Sequence, residues 1–300
     1  MEFGRALEKH LNQAFPVPDG ESFFRDFPVW DPTRKLDVIY EIETEAGGES
    51  GSAALMATAA ARVVRIRPLD GSGDRKVGII GAVATDPRYR NQGLASRAVS
   101  RLVARLEEQG IRQQVLWGGE ADLYKALGFE PRGVQARVPL RRVVPAEWMV
   151  RGCALVDGLK IGSGWTPGLI EAMRGRVGGI VLSESDAEWL SAHQAVEWRW
   201  IATADGRVVA YAALGRGIDL PNLVHEWWAD DSRLLARVLM EHLGNHPTSE
   251  LLGHPAHFAR FGIWVEPTQL DSPTREALAL MRGVTEKEAG QWWFWGLDSA

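Results

Sequence analysis

The chain has 300 residues, more than one average domain, and its 45% apolar and 24% charged residues are typical of a soluble globular protein. A net charge of −5 without a long basic tract argues against a general nucleic-acid binder, and no stretch reaches the roughly 20 apolar residues of a membrane span. The single cysteine, Cys153, excludes an internal disulfide framework, and because no signal-peptide pattern is evident we expect a cytoplasmic location.

Tryptophan is distributed unevenly along the chain. Of 13 tryptophans, 11 lie at or beyond Trp148, so the two halves differ in composition. We therefore expect two domains, residues 1–145 and 146–300, each long enough to bury its own core.

The first half alternates helical and strand patterns. A short amphipathic helix is predicted from Gly4 to Phe15, followed by an aromatic segment from Phe23 to Trp30 that forms either a second helix or a loop over a pocket. Alternating apolar residues predict strands over Leu36–Thr44 and Ala53–Arg67. Further along, the patterns predict a strand over Gln114–Trp117, a helix over Ala121–Leu127 and a strand or hairpin arm over Phe129–Leu140.

A strand, a turn and a helix follow one another without a gap near residue 90. The run from Val77 to Ala84 is apolar and rich in β-branched residues, which suits a strand buried on both faces. From Leu94 the apolar residues recur every four positions until Gly110, which predicts an amphipathic helix with a glycine cap. Gly93 lies between the strand and the helix, and it lets the backbone approach a ligand closely. The first helical turn offers unpaired N–H groups, so this turn has the properties of a phosphate cradle.

The spacing of this turn narrows the choice of ligand. Arg90-Asn91-Gln92-Gly93-Leu94-Ala95 matches neither the dinucleotide nor the nucleotide-triphosphate glycine pattern. The pattern Arg-x-x-Gly-x-Ala resembles the acyl-CoA pyrophosphate loop of the GNAT superfamily of N-acyltransferases, and the neighbouring segments VATDPRYR and LYKALGF resemble that family too. The alternative is an ordinary strand-to-helix turn with solvated arginines, which does not account for the neighbours.

The resemblance implies a fold, an acyl donor and a set of binding residues. The fold is α/β with a mixed sheet, and the donor is acetyl-CoA, with no metal ion. In the family, the backbone of the strand binds the pantetheine arm and the loop binds the pyrophosphate. The corresponding residues here are Val83, Ala84 and Thr85 in the strand and Arg90, Asn91, Gln92, Gly93, Leu94, Ala95 and Ser96 in the loop.

Tyr124 is the catalytic residue that the resemblance implies. It lies in a segment similar to the tyrosine-bearing helix of the family, where the phenol protonates the coenzyme A thiolate as general acid. The alternative is a tyrosine that packs on a short helix. Glu120 is a weaker candidate for the base, and the alternative is that its charge interacts with the helix dipole. Glu41 and Glu43 could act as a base through water, and the alternative is that they lie on a solvated strand face.

The second half repeats the element order of the first. Its predicted elements are helices over 167–174, 185–195, 232–243 and 257–261 and strands over 198–203, 208–214, 223–228 and 250–252. The order predicts a second, degenerate GNAT-like domain that arose by duplication. Where the loop would lie, Asp230 and Asp231 replace the arginines and the glycine, and Asp231 or Ser232 makes a good N-cap. We therefore expect the first domain alone to bind acyl-CoA.

Three features resemble the enhanced-intracellular-survival type of acetyltransferase. They are the tandem arrangement of two domains, the AVATDPRYR run and the closing segment Phe294–Ala300. Those proteins carry a sterol-carrier-like third domain, whereas this chain stops near the end of the second. In them the C-terminal carboxylate is thought to act as the base, which nominates the carboxylate of Ala300 here.

Two further patterns carry less weight. His254 and His257, with His246 nearby, suggest a metal site, but Pro255 breaks the helical spacing and no acidic or thiol ligand is well placed. Gly158–Gly164 is glycine-rich, and because no helix follows at once, we expect a loop rather than a phosphate site.

Two functions remain open at this level. One is an acetyl-CoA-dependent N-acetyltransferase that acts on a primary amine of a small molecule or peptide, by direct attack in a ternary complex. The other is a non-catalytic acyl-CoA-binding regulatory module, which has no need of an acid at Tyr124. We expect neither nucleic acid nor membrane as a partner, and the sequence does not predict the acceptor or the oligomeric state.

Overall fold

A computed structural model of the chain describes residues 2–34, 36–45, 54–119, 121–144, 158–263 and 277–298. These form two compact units. The first consists of Met1–Gly133 with Ala279–Trp292, and the second of Val134–Leu278 with Trp293–Asp298. Each unit is built on a mixed sheet with helices, which confirms the predicted α/β fold class.

The helices and strands follow in chain order. The helices of the described residues are α1 (Glu2–Ala14), α2 (Phe23–Asp26), α3 (Leu94–Glu108), α4 (Ala121–Ala126), α5 (Leu140–Val143), α6 (Gly168–Arg174), α7 (Asp186–Ser191), α8 (Ser232–Asn245), α9 (Pro255–Arg260) and α10 (Glu286–Ala289). The strands are β1 (Val38–Thr44), β2 (Leu55–Arg67), β3 (Arg75–Thr85), β4 (Gln114–Leu116), β5 (Glu130–Arg132), β6 (Ala136–Pro139), β7 (Leu159–Ser163), β8 (Gly179–Ile180), β9 (Glu197–Thr203), β10 (Val208–Leu214), β11 (Leu223–Ala229), β12 (Glu250–Gly253) and β13 (Ala279–Arg282). Most predicted elements are found within a few residues of their expected bounds.

The sheet of the first unit has the strand order β1-β2-β3-β4-β13-β5. β1, β2 and β3 are antiparallel neighbours, and α3 is the crossover that returns the chain to β4, parallel to β3. The apolar face of α3 is buried on this sheet through Leu94, Ala98, Leu102 and Leu106. Burial of each leucine contributes about 1.5–3 kcal/mol, which holds the start of α3 beside the end of β3.

The sheet of the second unit has the order β6-β12-β11-β10-β9-β7. Here α8 is the crossover from β11 to the parallel strand β12, as α3 is between β3 and β4. Trp227 of β11 meets Trp295 edge to face, with ring centroids 5.5 Å apart, and both rings are buried. The second unit therefore repeats the central strands and the crossover helix of the first unit. This repeat is consistent with the two GNAT-like domains predicted from the sequence.

Each sheet is completed by a short strand from a distant part of the chain. β13 lies between β4 and β5, antiparallel to both, although about 150 residues separate it from them in sequence. β6 takes the corresponding place beside β12. This division differs from the expected one at 145/146, because the segment Phe129–Leu140 splits between the two sheets at Gly133.

Three strands, β7, β8 and β13, had no prediction. Residues 159–163 form β7, which pairs antiparallel with β9, where the glycine-rich sequence suggested a loop. β13 was not recognised at all. No helix of the described residues is long and apolar enough to span a membrane.

Candidate active site

The candidate site lies at the end of β3, where the strand loses one neighbour. In the described part of the chain, β3 pairs with β2 nearly to its end, but its parallel pairing with β4 covers Gly78–Ile80 alone. β4 ends at Leu116, whereas β3 continues to Thr85. The stretch that contains Val83 and Ala84 therefore has one backbone edge without a partner strand.

A β-bulge lies directly before that edge. Thr58 of β2 faces Ala84 and Ala60 faces Gly81, so β3 has one residue more than β2 between these pairs. Ala82 absorbs the difference with a left-handed backbone (φ 48°), and the Thr58 hydroxyl donates to its carbonyl over 3.1 Å. A bulge bends its strand, and a non-glycine residue in this conformation is strained in a way that is common at binding sites.

The turn after β3 leaves the first N–H groups of α3 without a side-chain cap. The Asp86 carboxylate accepts a hydrogen bond from the Arg88 backbone at 2.9 Å, and a 3-10 turn over Pro87–Tyr89 follows. Gly93 precedes α3 in a left-handed conformation (φ 71°) and, because it has no side chain, provides no N-cap hydrogen bond. Because a helix N-terminus carries about half a positive charge, these N–H groups beside exposed Arg90 can bind an anion.

A cavity of about 430 Å³ joins the strand end to this helix N-terminus. The predicted residues that line it are Val83, Ala84, Thr85, Arg90, Asn91, Gly93, Leu94, Ala95, Ser96 and Tyr124. Gln92 is exposed in the turn but does not line the cavity, and Ala300 lies outside the described residues.

The cavity also has walls that the sequence analysis missed. Ala14 and Phe15, at the end of α1, line it together with Leu123 and Tyr89. Phe15 is backed by Phe23, whose ring centroid is 4.8 Å away. The apolar spacing of α1 signalled a packed helix, and nothing in that pattern indicates that its last turn borders a cavity.

Tyr124 is held in one orientation at the cavity wall. Its side chain is 6% exposed and packs edge-on against Phe129, with ring centroids 6.3 Å apart. The backbone of Gly118 approaches so closely that a Cβ atom there would come within 2.8 Å of the tyrosine ring. A buried ring fixed in this way suits either a core residue or a proton donor whose hydroxyl must stay in place.

A family model matches the segment that contains all the residues lining the cavity. Residues 6–132, which contain the bulged strand, the turn and Tyr124, match the acetyltransferase (GNAT) domain model. This segment of the first unit, hereafter the GNAT domain, is the part of the chain that the family model covers.

Solved structures share the fold at low sequence identity. A GCN5-related N-acetyltransferase from Anabaena variabilis ATCC 29413 is 15% identical with a TM-score of 0.57, the match covering 84% of this chain and 63% of that one. A conserved protein of unknown function from Enterococcus faecalis V583 is 14% identical with a TM-score of 0.59, covering 84% and 63%. Eis1 from Mycobacterium abscessus is 14% identical with a TM-score of 0.53, covering 84% and 62%.

The chain spans about 63% of the length of these three structures. At such identities the likeness concerns the fold alone. No curated protein sequence matches the chain.

Glu41 and Glu43 are bound to the outer face of α3 in the GNAT domain. Arg105 contacts Glu41 at 2.6 Å, and Arg101 contacts Glu41 at 3.0 Å and Glu43 at 2.7 Å. Although partial burial raises the pKa of Glu41, hydrogen bonds from Arg105 and Arg101 hold that pKa below its ordinary value. The expectation that these carboxylates act as a base through water is not supported, because arginines already bind them. Glu120 lies outside the described residues.

At the helix that corresponds to α3, the described residues of the second unit form no cradle of the GNAT-domain kind. At the start of α8, the Asp231 carboxylate accepts hydrogen bonds from the backbone N–H groups of Arg233 and Leu234, at 2.8 and 2.9 Å. A cavity of about 560 Å³ in this unit brings Glu171, Asp205 and Asp230 to its lining. A capped helix and carboxylates around the cavity both disfavour a pyrophosphate.

The histidines that suggested a metal have structural partners. Nδ1 of His254 accepts a hydrogen bond from the Ala256 backbone at 3.1 Å. His257 Nε2 lies 2.9 Å from the Val177 carbonyl, and its ring stacks on Trp295 at 4.8 Å. No cluster of three potential metal ligands occurs among the described residues.

Proposed function

We propose that the protein is an acetyl-CoA-dependent N-acetyltransferase whose GNAT domain transfers the acetyl group directly to a primary amine of a small molecule or peptide. The observation that carries the proposal is the shared cavity. An unpaired strand edge at Val83–Thr85, an uncapped helix N-terminus at Gly93 and the side chain of Tyr124 all border it. The strand edge can hold the thioester arm, the helix N-terminus can bind the pyrophosphate, and Tyr124 can protonate the leaving group.

The two ends of acetyl-CoA would bind in different ways. The pantetheine arm is an extended amide chain, and it can hydrogen-bond to the free backbone edge of Val83–Thr85 as an added strand would. The pyrophosphate accepts hydrogen bonds from the N–H groups of α3, and Arg90 adds a full positive charge.

The reaction then proceeds by direct attack. The amine nitrogen forms a bond to the thioester carbonyl carbon, the carbon–sulfur bond breaks, and the Tyr124 hydroxyl donates its proton to the departing thiolate. Deprotonating a lysine-like amine at pH 7 costs about 4–5 kcal/mol, so a base or an amine of low pKa must lower this barrier. The carboxylate of Ala300 and that of Glu120 stay as predictions for the base.

The second unit contributes no acetyl-CoA site in this proposal. Its helix N-terminus is capped by Asp231, where the GNAT domain has Gly93. We expect Asp231→Ala to leave the affinity for acetyl-CoA unchanged, and a measurable loss of affinity would assign binding to the second unit instead.

Calorimetric titration of acetyl-CoA tests the cradle with a matched pair of variants. Gly93 and Gly110 lie at opposite ends of α3 with left-handed backbones (φ 71° and 78°), and a Cβ atom at either meets no atom within 4 Å. Gly93→Glu and Gly110→Glu therefore carry a similar backbone penalty of about 1–2 kcal/mol, but Gly93→Glu alone adds a carboxylate beside the pyrophosphate. We expect about a tenfold or greater rise in Kd for Gly93→Glu and no change for Gly110→Glu. An equal effect of both variants would refute the cradle.

Turnover is measured by release of free coenzyme A thiol with a panel of amines. Tyr124→Phe should bind acetyl-CoA normally and lose about 100-fold in kcat. Tyr40→Phe, which removes another partly buried phenol from the same unit, is the control and should keep full activity. Full activity of Tyr124→Phe removes its role as acid, and wild-type binding without thiol release on any amine favours the acyl-CoA-binding module.

A further inference from the structure

A histidine with unsatisfied ring nitrogens lies beneath the proposed acetyl-CoA strand. His10, on α1, is 3% exposed, and neither of its ring nitrogens has a hydrogen-bond partner among the described residues. Its ring faces the backbone of Ala84 and of Leu55 without completing a hydrogen bond to either. Buried polar side chains almost always find a partner, so an imidazole at this position needs an explanation beyond packing.

The position of His10 connects it to the cavity. Ala84 lines the cavity, and so does Ala14, which lies one helical turn after His10 on the same face of α1. Leu55 is the first residue of β2, next to the point where the Asp86 N–H donates to the Met56 carbonyl at 2.9 Å. The imidazole is therefore placed where the open end of β3 meets the start of β2.

The charge state of His10 suits a hydrogen bond to the backbone. Burial lowers its pKa, against smaller opposing effects of the Ala84 backbone, the Asp86 carboxylate and the Leu55 backbone, so the ring is neutral at pH 7 with one N–H donor. The Asp86 carboxylate is already paired with the Arg88 guanidinium at 2.8 Å. The donor of His10 is thus available to the strand backbone rather than to an ion pair.

Resting on the proposed function, we propose that His10 is a positioning residue for acetyl-CoA. Its neutral imidazole donates to the backbone at Ala84 and fixes the direction in which Val83–Thr85 present their unpaired edge to the pantetheine arm. Hydrogen bonds of a binding site are often long before the ligand is present and shorten in the complex, which is consistent with the incomplete contact of His10. His10 acts through the strand and takes no part in the chemical step.

Three variants of the full chain test this role. His10→Phe keeps the bulk of the ring and removes both nitrogens, whereas His10→Gln restores an N–H donor. His242→Phe is the matched control, because His242 is a buried histidine of the second unit whose ring bonds to the Ala212 carbonyl. We expect His10→Phe to raise the Kd for acetyl-CoA about fivefold and to leave kcat at saturating acetyl-CoA unchanged. His10→Gln should recover most of the affinity for acetyl-CoA. His242→Phe should leave the Kd unchanged.

A purely structural role gives a different result. His10→Phe would then lower the melting temperature and leave the Kd unchanged, which overturns the inference while wild-type binding upholds the proposed function. A wild-type protein that does not bind acetyl-CoA overturns both. If His10→Phe fails to fold, the ring-nitrogen NMR resonances of His10 in the wild-type protein test the inference instead. These resonances shift on addition of acetyl-CoA if the contact forms, and unchanged resonances overturn the inference.

Discussion

A buried ion cluster in the second unit gives a sharp prediction about stability. Arg176 Nη1 donates to Glu226 at 2.7 Å, Arg176 Nη2 donates to Asp298, and all three side chains are at most 1% exposed. The other oxygen of Asp298 accepts hydrogen bonds from the backbone N–H groups of Ile180 at 2.9 Å and Trp295 at 3.1 Å. We consider the substitutions Asp298→Asn and Asp298→Ala.

The expected loss follows from what each substitution leaves unpaired. Removing one partner of a buried ion pair costs about 3–5 kcal/mol, because the remaining charge stays buried. Here Glu226 still faces Arg176. Burial raises the pKa of Glu226 to about 7, Arg176 opposes this rise, and the Asp298 charge adds to it. Without that charge Glu226 ionises more readily and compensates in part, so we expect about 2–3 kcal/mol for Asp298→Asn.

Asp298→Ala removes both acceptors as well as the charge. It leaves the N–H groups of Ile180 and Trp295 without a partner, which adds about 1–3 kcal/mol. Urea denaturation at pH 7, followed by tryptophan fluorescence, measures both variants. The control is Asp230→Asn, whose exposed pair with Arg207 is worth less than about 1 kcal/mol. Asp298→Asn with the stability of the wild type would refute the reasoning, and equal losses for Asn and Ala would refute the acceptor role.

Further predictions concern the division of the chain, the acidic strand and the pH response. A chain that ends at Pro145 lacks β13, so β4 loses a neighbour, and we expect no cooperative thermal unfolding by circular dichroism; a sharp transition would show that the first unit does not need β13. Glu41→Gln should cost less than about 1 kcal/mol and leave kcat unchanged, whereas a large fall in kcat would restore its role as base. Burial lowers the pKa values of His225 and His257 to about 3 and that of His242 to about 4, so stability falls as the pH drops below about 6.5, by about 2 kcal/mol for each histidine at pH 5. The raised pKa of Glu226 offsets about a third of this loss, and an unchanged urea midpoint between pH 7 and pH 5 would contradict the balance.

Local patterns were sufficient for the elements that carry the candidate site. The helix predicted to begin at Leu94 does so, and Gly93 precedes it in the left-handed conformation that glycine favours. Asp231 caps α8 as the sequence indicated. All these features depend on residues within one turn of each other, so a short segment contains the whole physical cause.

Features that depend on distant residues left no such signal. β13 has four residues and a partner about 150 positions away, and the glycine-rich β7 is a strand because β9 pairs with it. The extra residue at Ala82 is visible only against the register of β2, since alanine is not a residue that indicates a bulge. The alternation around Glu41 predicted a strand, but the arginines that bind it lie about 60 residues later on α3. The periodicity of a segment reports which of its faces is buried, but it contains no information about which distant segment buries that face. The cavity depends on this missing information, because it forms where parts of α1, β3 and α4 meet in the tertiary structure.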